Sequence, residues 1–410
     1  MASGRLSATR KGAGELAKVQ TVEEKPKSGG PRGLLLRYRV WIGVAVSAIL
    51  LYLTFGNQKW DKIGEALQHV NYLWLLPALV SYFVGVWLRA LRWHFLLGPM
   101  LPAAAQAHAS ANRLFGPITI GYAANNILPL RTGELVRVLA LKRAEGVAGT
   151  AALATIVIER IFDGITMLLF LVVAAMFVSL GMLSSYLIVG GIIFVSLLVG
   201  FIVVAGSPRL ADRLLIIGLN LLPIGGLRQK VGDKARSFLN GLSALRSPRV
   251  AGTAMIISII LWLFEVLMGY LIAQGMDLRL PNGTQPPFYV FILMTAVSNL
   301  VLIIPSTAGG LGPFDAAINL VLASVFSIEK TAAATFAIIF RLTLWLPVTI
   351  VGLLFLSRAG IGWAEVTGGK EQEARHKDFV TDVEQTLAAG EHDSNNDNME
   401  DDYQPRRRRV

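Results

Sequence analysis

Long uninterrupted apolar blocks, rather than amphipathic faces, organise this 410-residue chain. A block of about 18 or more apolar residues crosses the roughly 30 Å hydrocarbon layer as a helix. Only helices or closed barrels satisfy their backbone polar groups there, and these blocks are too long, and alternate too little, for barrel strands. The expected fold is therefore all-α: a polytopic transmembrane helical bundle of about seven or eight spans. Charged residues make up only 16% of the chain, against roughly a quarter in soluble domains.

Seven apolar segments stand out, at 40–55, 72–97, 150–180, 185–206, 250–273, 288–304 and 331–356. They define a membrane domain over 40–357. Before it, 1–39 reads as a disordered basic arm with no apolar core or cleavage site of a signal peptide. After it, 358–410 reads as a disordered polar tail. Arg39, Arg89 and Arg92 flank the first two segments and assign the N-terminus to the cytoplasm. The basic, amphipathic connection 207–249 belongs on the same side. Arg89 and Arg92 themselves read as snorkelling residues near a helix end.

Two stretches break the apolar pattern. Phe115–Leu128 contains Pro117, Gly121 and Asn125-Asn126, ends in Pro129-Leu130-Arg131-Thr132-Gly133-Glu134, and resumes as an amphipathic helix to Arg143. A re-entrant or interfacial hairpin fits this better than two spans. In the second half, Asn299 leads through Pro305, Gly309, Gly310, Gly312 and Asp315 to Arg341. Here Phe314–Ile328 either crosses or returns. Both stretches run in the order asparagine, proline, glycine, acid, then an intramembrane arginine, which reads either as a two-fold internal pseudo-repeat or as two unrelated loops in a chain with 40 glycines. Paired Gly/Pro-interrupted segments point to a transporter's binding site, because broken helices expose amides that only protein or a watery cavity satisfies.

Charges inside spans cost roughly 2.5–3.5 kcal/mol each on insertion scales, so each one needs a reason. Glu159, Arg160 and Asp163 lie within one turn and either neutralise one another or aim Arg160 at an anionic headgroup. Arg131, Glu134 and Arg137 recur every three residues after a Pro/Gly turn. That pattern suits either a solvated ion network or phosphate held at a helix start by guanidinium forks. Arg341 has no carboxylate within a turn, so its partner is Asp315, Glu265 or substrate. Glu265 reads equally as a proton-coupling group and as a buried partner.

Catalytic chemistry has little to stand on. The chain has no cysteine and five histidines, without HExxH or paired-ligand spacing. No phosphate-loop or nucleophile-elbow motif occurs in its proper context. No cofactor and no metal are expected, and the net charge of +11 reflects topogenesis and anionic headgroups rather than nucleic acid. Asn282-Gly283-Thr284 is a sequon on the side expected to be outside.

The motifs in their joint order resemble the lysylphosphatidylglycerol synthase transmembrane-region family, the flippase-like domain. The resemblance rests on Asn125-Asn126-Ile127-Leu128-Pro129-Leu130-Arg131-Thr132-Gly133-Glu134-Leu135-Val136-Arg137 and on Glu159-Arg160-Ile161-Phe162-Asp163. It rests also on Pro305 through Asp315, on Arg92-Trp93, and on Arg341 before Trp345 and Pro347. It implies a stand-alone member, without the soluble synthase domain of the full-length relatives, and hence no enzyme. The function implied is movement of an anionic lipid headgroup, of aminoacyl-phospholipid or polyprenyl-phosphate type, between leaflets of a bacterial-type plasma membrane. Asn125, Asn126, Arg131, Glu134, Arg137, Arg160, Gly309, Gly310, Gly312, Asp315 and Arg341 would bind substrate, with Glu159, Asp163 and Glu265 as coupling candidates. Two rivals remain: a non-transporting partner of a separate glycosyltransferase or lipid-modifying enzyme, and a small-solute or ion transporter.

Overall fold

The computed structural model describes residues 45–54, 60–101, 109–128, 132–145, 149–178, 247–302 and 310–359, with a few isolated positions. Among these residues every regular element is a helix. Three helices are long and apolar enough to cross a membrane: Tyr72–Leu97, Pro248–Gly275 and Lys330–Arg358. They are the second, fifth and seventh expected segments. The arm 1–39, nearly all of the fourth segment and of the 207–249 connection, and the tail beyond residue 359 lie outside the described residues.

In chain order the helices are α1 (Ala45–Thr54), α2 (Trp60–Gln68), α3 (Leu75–Leu97), α4 (Ala111–Ile127), α5 (Gly133–Glu145), α6 (Gly149–Ala175), α7 (Pro248–Gly275), α8 (Phe288–Val301), α9 (Pro313–Asn319) and α10 (Lys330–Arg358). Helix α6 is 27 residues long, about 40 Å at 1.5 Å per residue, and carries Glu159, Arg160 and Asp163 in its middle. Leu76, Val80, Val172, Ile256, Leu346 and Ile350 stay exposed on the long helices, as side chains facing lipid do. Between lipid-bathed helices the hydrophobic effect gives no attraction, so packing and buried polar pairs hold them together.

One expectation changes. The sixth segment is not a full crossing, because α8 has 14 residues, about 21 Å, and stops before the Gly/Pro break. In the 314–328 stretch, which the sequence leaves open between crossing and returning, α9 runs into a π-helical turn at Leu320–Val325 and packs on α8. The first broken stretch is a helical hairpin, as expected, of α4 and α5. Leu128 leaves the helix in an extended conformation, as a residue before proline does. Asn125 Oδ1 accepts from the Gly133 amide at 2.9 Å, closing the turn. A Cβ on Gly133 would run into the Gly121 carbonyl oxygen, so only glycine lets the two arms touch here.

The two halves pack as exchanged copies of each other. Helix α3, hairpin α4–α5 and α6 form one unit; α7, hairpin α8–α9 and α10 form the other. The first helices, α3 and α7, make the most extensive contact in the bundle, α4 packs on α10, and α8 packs on α6. Each hairpin thus lies against the last helix of the other unit. The first helices are antiparallel: the Asn71 amide donates to Gly275 O at 2.8 Å, Ser81 Oγ to Phe264 O at 2.7 Å, and Arg92 Nη1 to Ser258 Oγ at 2.8 Å. An axis exchanging two antiparallel crossings runs perpendicular to both, in the membrane plane. The contacts have the pattern of an inverted-topology repeat.

Candidate functional site

A cavity of about 170 Å³ lies where the two units meet. Arg160 stands eleven residues beyond the start of α6, and Arg341 eleven beyond the start of α10. Both line the cavity, with Arg89 and Tyr82 of α3, Tyr122, Asn125 and Asn126 of α4, Glu134 of α5, Asp163 of α6, and Trp262 and Glu265 of α7. Asn299, Phe314, Leu344 and Trp345 also line it. Its charged lining is balanced: Arg89, Arg160 and Arg341 against Glu134, Asp163 and Glu265.

Each guanidinium has a carboxylate. Arg341 meets Asp315 through two hydrogen bonds, Nε to Oδ1 at 2.7 Å and Nη2 to Oδ2 at 2.8 Å, and also donates to Gly310 O at 3.3 Å. Its partner is therefore Asp315 rather than Glu265. Arg160 lies 3.2 Å from Glu134 and 3.8 Å from Asp163. Arg89 Nη2 donates to Glu265 Oε2 at 2.9 Å, and its guanidinium lies 4.7 Å from the Trp262 ring. Asn299 Nδ2 reaches the other oxygen of Glu265 at 3.4 Å.

Behind this wall is a sealed ion network. Arg137 donates both terminal nitrogens to Glu159, at 2.7 and 2.9 Å, beneath the Trp93 ring at 3.6 Å. Arg92 joins Asp163 to Ser258 and approaches Glu159 at 3.8 Å. Trp262 Nε1 donates to Asp163 at 2.9 Å. Buried pairs of this kind are weak evidence for net stability, but removing one partner costs about 3–5 kcal/mol.

The other expected site residues are placed as follows. Arg137 and Glu159 pair with each other, and neither lines the cavity. Gly310 and Gly312 shape the backbone instead, with φ of +69° and +91°, values that glycine adopts without strain. The Gly312 amide donates to Asp315 at 3.1 Å, so this turn holds the carboxylate that holds Arg341. Asn126 lines the cavity while donating to Thr349 Oγ1 at 2.8 Å, tying the first hairpin to α10. Arg131 and Gly309 lie outside the described residues. Arg89 and Arg92 are buried, at 7% and 1% exposure, and paired rather than snorkelling. Their missed signal was position: Arg89 lies 17 residues into Tyr72–Leu97, and Glu265 lies 17 into Pro248–Gly275.

The family model for the lysylphosphatidylglycerol synthase transmembrane region matches residues 40–352. The chain belongs to that family. The match takes in the first unit, the second unit up to the last turns of α10, and every cavity residue named above. Among its relatives is a UPF0104 membrane protein of Methanothermobacter thermautotrophicus, 25% identical over 305 residues, covering 72% of this chain and 86% of the relative. Another, from Pyrococcus horikoshii, is 26% identical over 336 residues, covering 77% of this chain and 95% of its own length. A second Methanothermobacter protein is 23% identical over 338 residues, at 78% and 94% coverage.

Proposed function

We propose that this member of the lysylphosphatidylglycerol synthase transmembrane-region family moves an anionic lipid headgroup across a bacterial-type plasma membrane, with its N-terminus in the cytoplasm and no catalytic step of its own. The observation that carries this reading is the convergence of Arg160 and Arg341, equivalent residues of two inverted units, on one cavity inside the bundle. A cavity of about 170 Å³ suits a phosphate with its immediate substituents, while acyl or prenyl chains stay in lipid. Only headgroup desolvation then has to be offset.

The physical task is partner exchange. A phosphate has to take a guanidinium from its carboxylate, and Arg160 is the easiest to take: its side chain is 51% exposed. Planar guanidinium binds phosphate through two parallel hydrogen bonds, more than the single contact that Glu134 makes. Displaced Glu134 then meets an ammonium on the headgroup or a proton. Asp163 and Glu265, both bordering the cavity, are the remaining carboxylates in reach of a proton.

The test follows fluorescently labelled phosphatidylglycerol in phosphatidylethanolamine–phosphatidylglycerol liposomes, with a membrane-impermeant quencher reporting the outer leaflet. Wild-type protein is expected to expose the inner-leaflet label, and Arg160→Ala to slow this at least about tenfold, the equivalent of 1.4 kcal/mol. Equal rates would remove Arg160 from the mechanism. If wild type leaves every labelled lipid in place yet carries chloride or inorganic phosphate, the reading gives way to a small-ion transporter. Stoichiometric co-purification with a glycosyltransferase, without any flux, would favour the partner role.

A further inference from the structure

The equivalent ion pairs of the two units differ in state. Arg341 and Asp315 are 13% and 4% exposed in their side chains and share two short hydrogen bonds, beside the Phe314 ring at 4.8 Å. Arg160 and Glu134 are 51% and 35% exposed and share one contact of 3.2 Å. Each pair joins the last helix of its unit to the second arm of that unit's hairpin. Sequence position and packing make the pairs equivalent; their surroundings do not.

We propose that these pairs are the two gates of one alternating-access device. The structure holds the Arg341–Asp315 pair sealed and the Arg160–Glu134 pair formed but half exposed, and the opposite state exchanges these surroundings. The inference rests on the transporter reading and adds to it which residues close each face. Inverted units that adopt two different conformations can trade them, and the traded state faces the other side of the membrane. The exchange keeps the number of sealed ion pairs constant, so opening one gate is compensated by closing the other. It also explains why the second pair is too buried to receive a headgroup now: its turn comes after the switch, when Arg341 takes the exposed place that Arg160 has here.

The chain has no cysteine, so Leu344→Cys in the cavity wall gives a single reporter. Full-length protein carrying it is reconstituted in phosphatidylethanolamine–phosphatidylglycerol vesicles sorted by orientation. A membrane-impermeant maleimide is then applied to one face or the other. The parent protein is expected to label faster from one face and measurably from the other, so that shifts of either sign can be read. Asp315→Asn should shift labelling toward the opposite face by about fivefold or more. Glu134→Gln, which weakens the gate of the opposite state, should shift it the other way. The opposed signs separate a gate from simple loosening, which raises labelling from both faces alike. Should Asp315→Asn fail to accumulate, Asp315→Asn with Arg341→Gln leaves no unpaired buried charge and carries the same expectation. Shifts of one sign, or none, would overturn the proposal. Lipid movement in the same vesicles is scored separately. Switching without lipid movement removes the flippase reading alone, and lipid movement with a fixed face removes the gates alone.

Discussion

Asp315 takes two hydrogen bonds from Arg341, at 2.7 and 2.8 Å, while its own position is fixed by the Gly312 amide at 3.1 Å. Twenty-six residues separate the partners, and both lie within the apolar bundle. A carboxylate oriented by a glycine turn therefore decides how a guanidinium on a different helix meets the cavity.

That relationship predicts a non-additive mutant cycle. Arg341→Gln alone strands the Asp315 carboxylate and should destabilise the protein by about 3–5 kcal/mol. The double variant Asp315→Asn, Arg341→Gln should lose much less, because no buried charge is left unpaired. Thermal unfolding in detergent, followed by tryptophan fluorescence, measures both.

Arg137 and Arg160 should separate stability from transport. Arg137 is buried against Glu159 and Trp93, so Arg137→Ala is expected to lower stability by about 3–5 kcal/mol. Arg160 is half exposed, and Arg160→Ala should change stability by less than about 1 kcal/mol while slowing lipid movement. The comparison is an unfolding midpoint beside a scrambling rate for each variant.

Gly133→Ala should open the first hairpin. Its new methyl meets the Gly121 carbonyl oxygen and the Asn125 amide nitrogen at 2.6 Å, and backbone cannot yield as a side chain does. A loss of about 1–3 kcal/mol is expected. Gly64→Ala is the contrast: nothing lies within 4 Å of its Cβ in helix α2, so a gain of about 0.5–1 kcal/mol is expected.

At the start of α10, Glu329 Oε2 accepts from the Ala332 amide at 2.7 Å. Burial pushes its carboxyl up, but hydrogen bonds from Thr331 and Ala332 outweigh that and hold it below its ordinary 4.5. A lowered folded value means the cap stabilises fully above 4.5 and weakens as pH falls through the folded value. Glu329→Gln should flatten the acid side of the stability profile by less than about 1 kcal/mol.

How far the sequence reached depended on the kind of signal. Apolar blocks located α3, α7 and α10, because spanning needs length and composition alone. The Asn125–Glu134 pattern located a hairpin, because proline and glycine act on their own backbone. The partners of Arg89, Arg92 and Arg137 were out of reach, since pairing across 22 to 176 residues depends on which helices touch. The sealed Arg137–Glu159 pair shows the same limit: periodicity puts residues on a face but does not say whether the face meets protein or cavity. Segment six was overextended for a related reason, because an apolar run does not reveal where its helix stops.

The equal numbers of guanidinium and carboxylate groups around the cavity have an electrical consequence. A potential of 100 mV does about 2.3 kcal/mol of work on each unit charge that crosses the full membrane. An empty cavity whose lining sums to zero offers the field no net charge to pull. Voltage would then act on the cargo alone, and any current that accompanies turnover would count the headgroup's own charge.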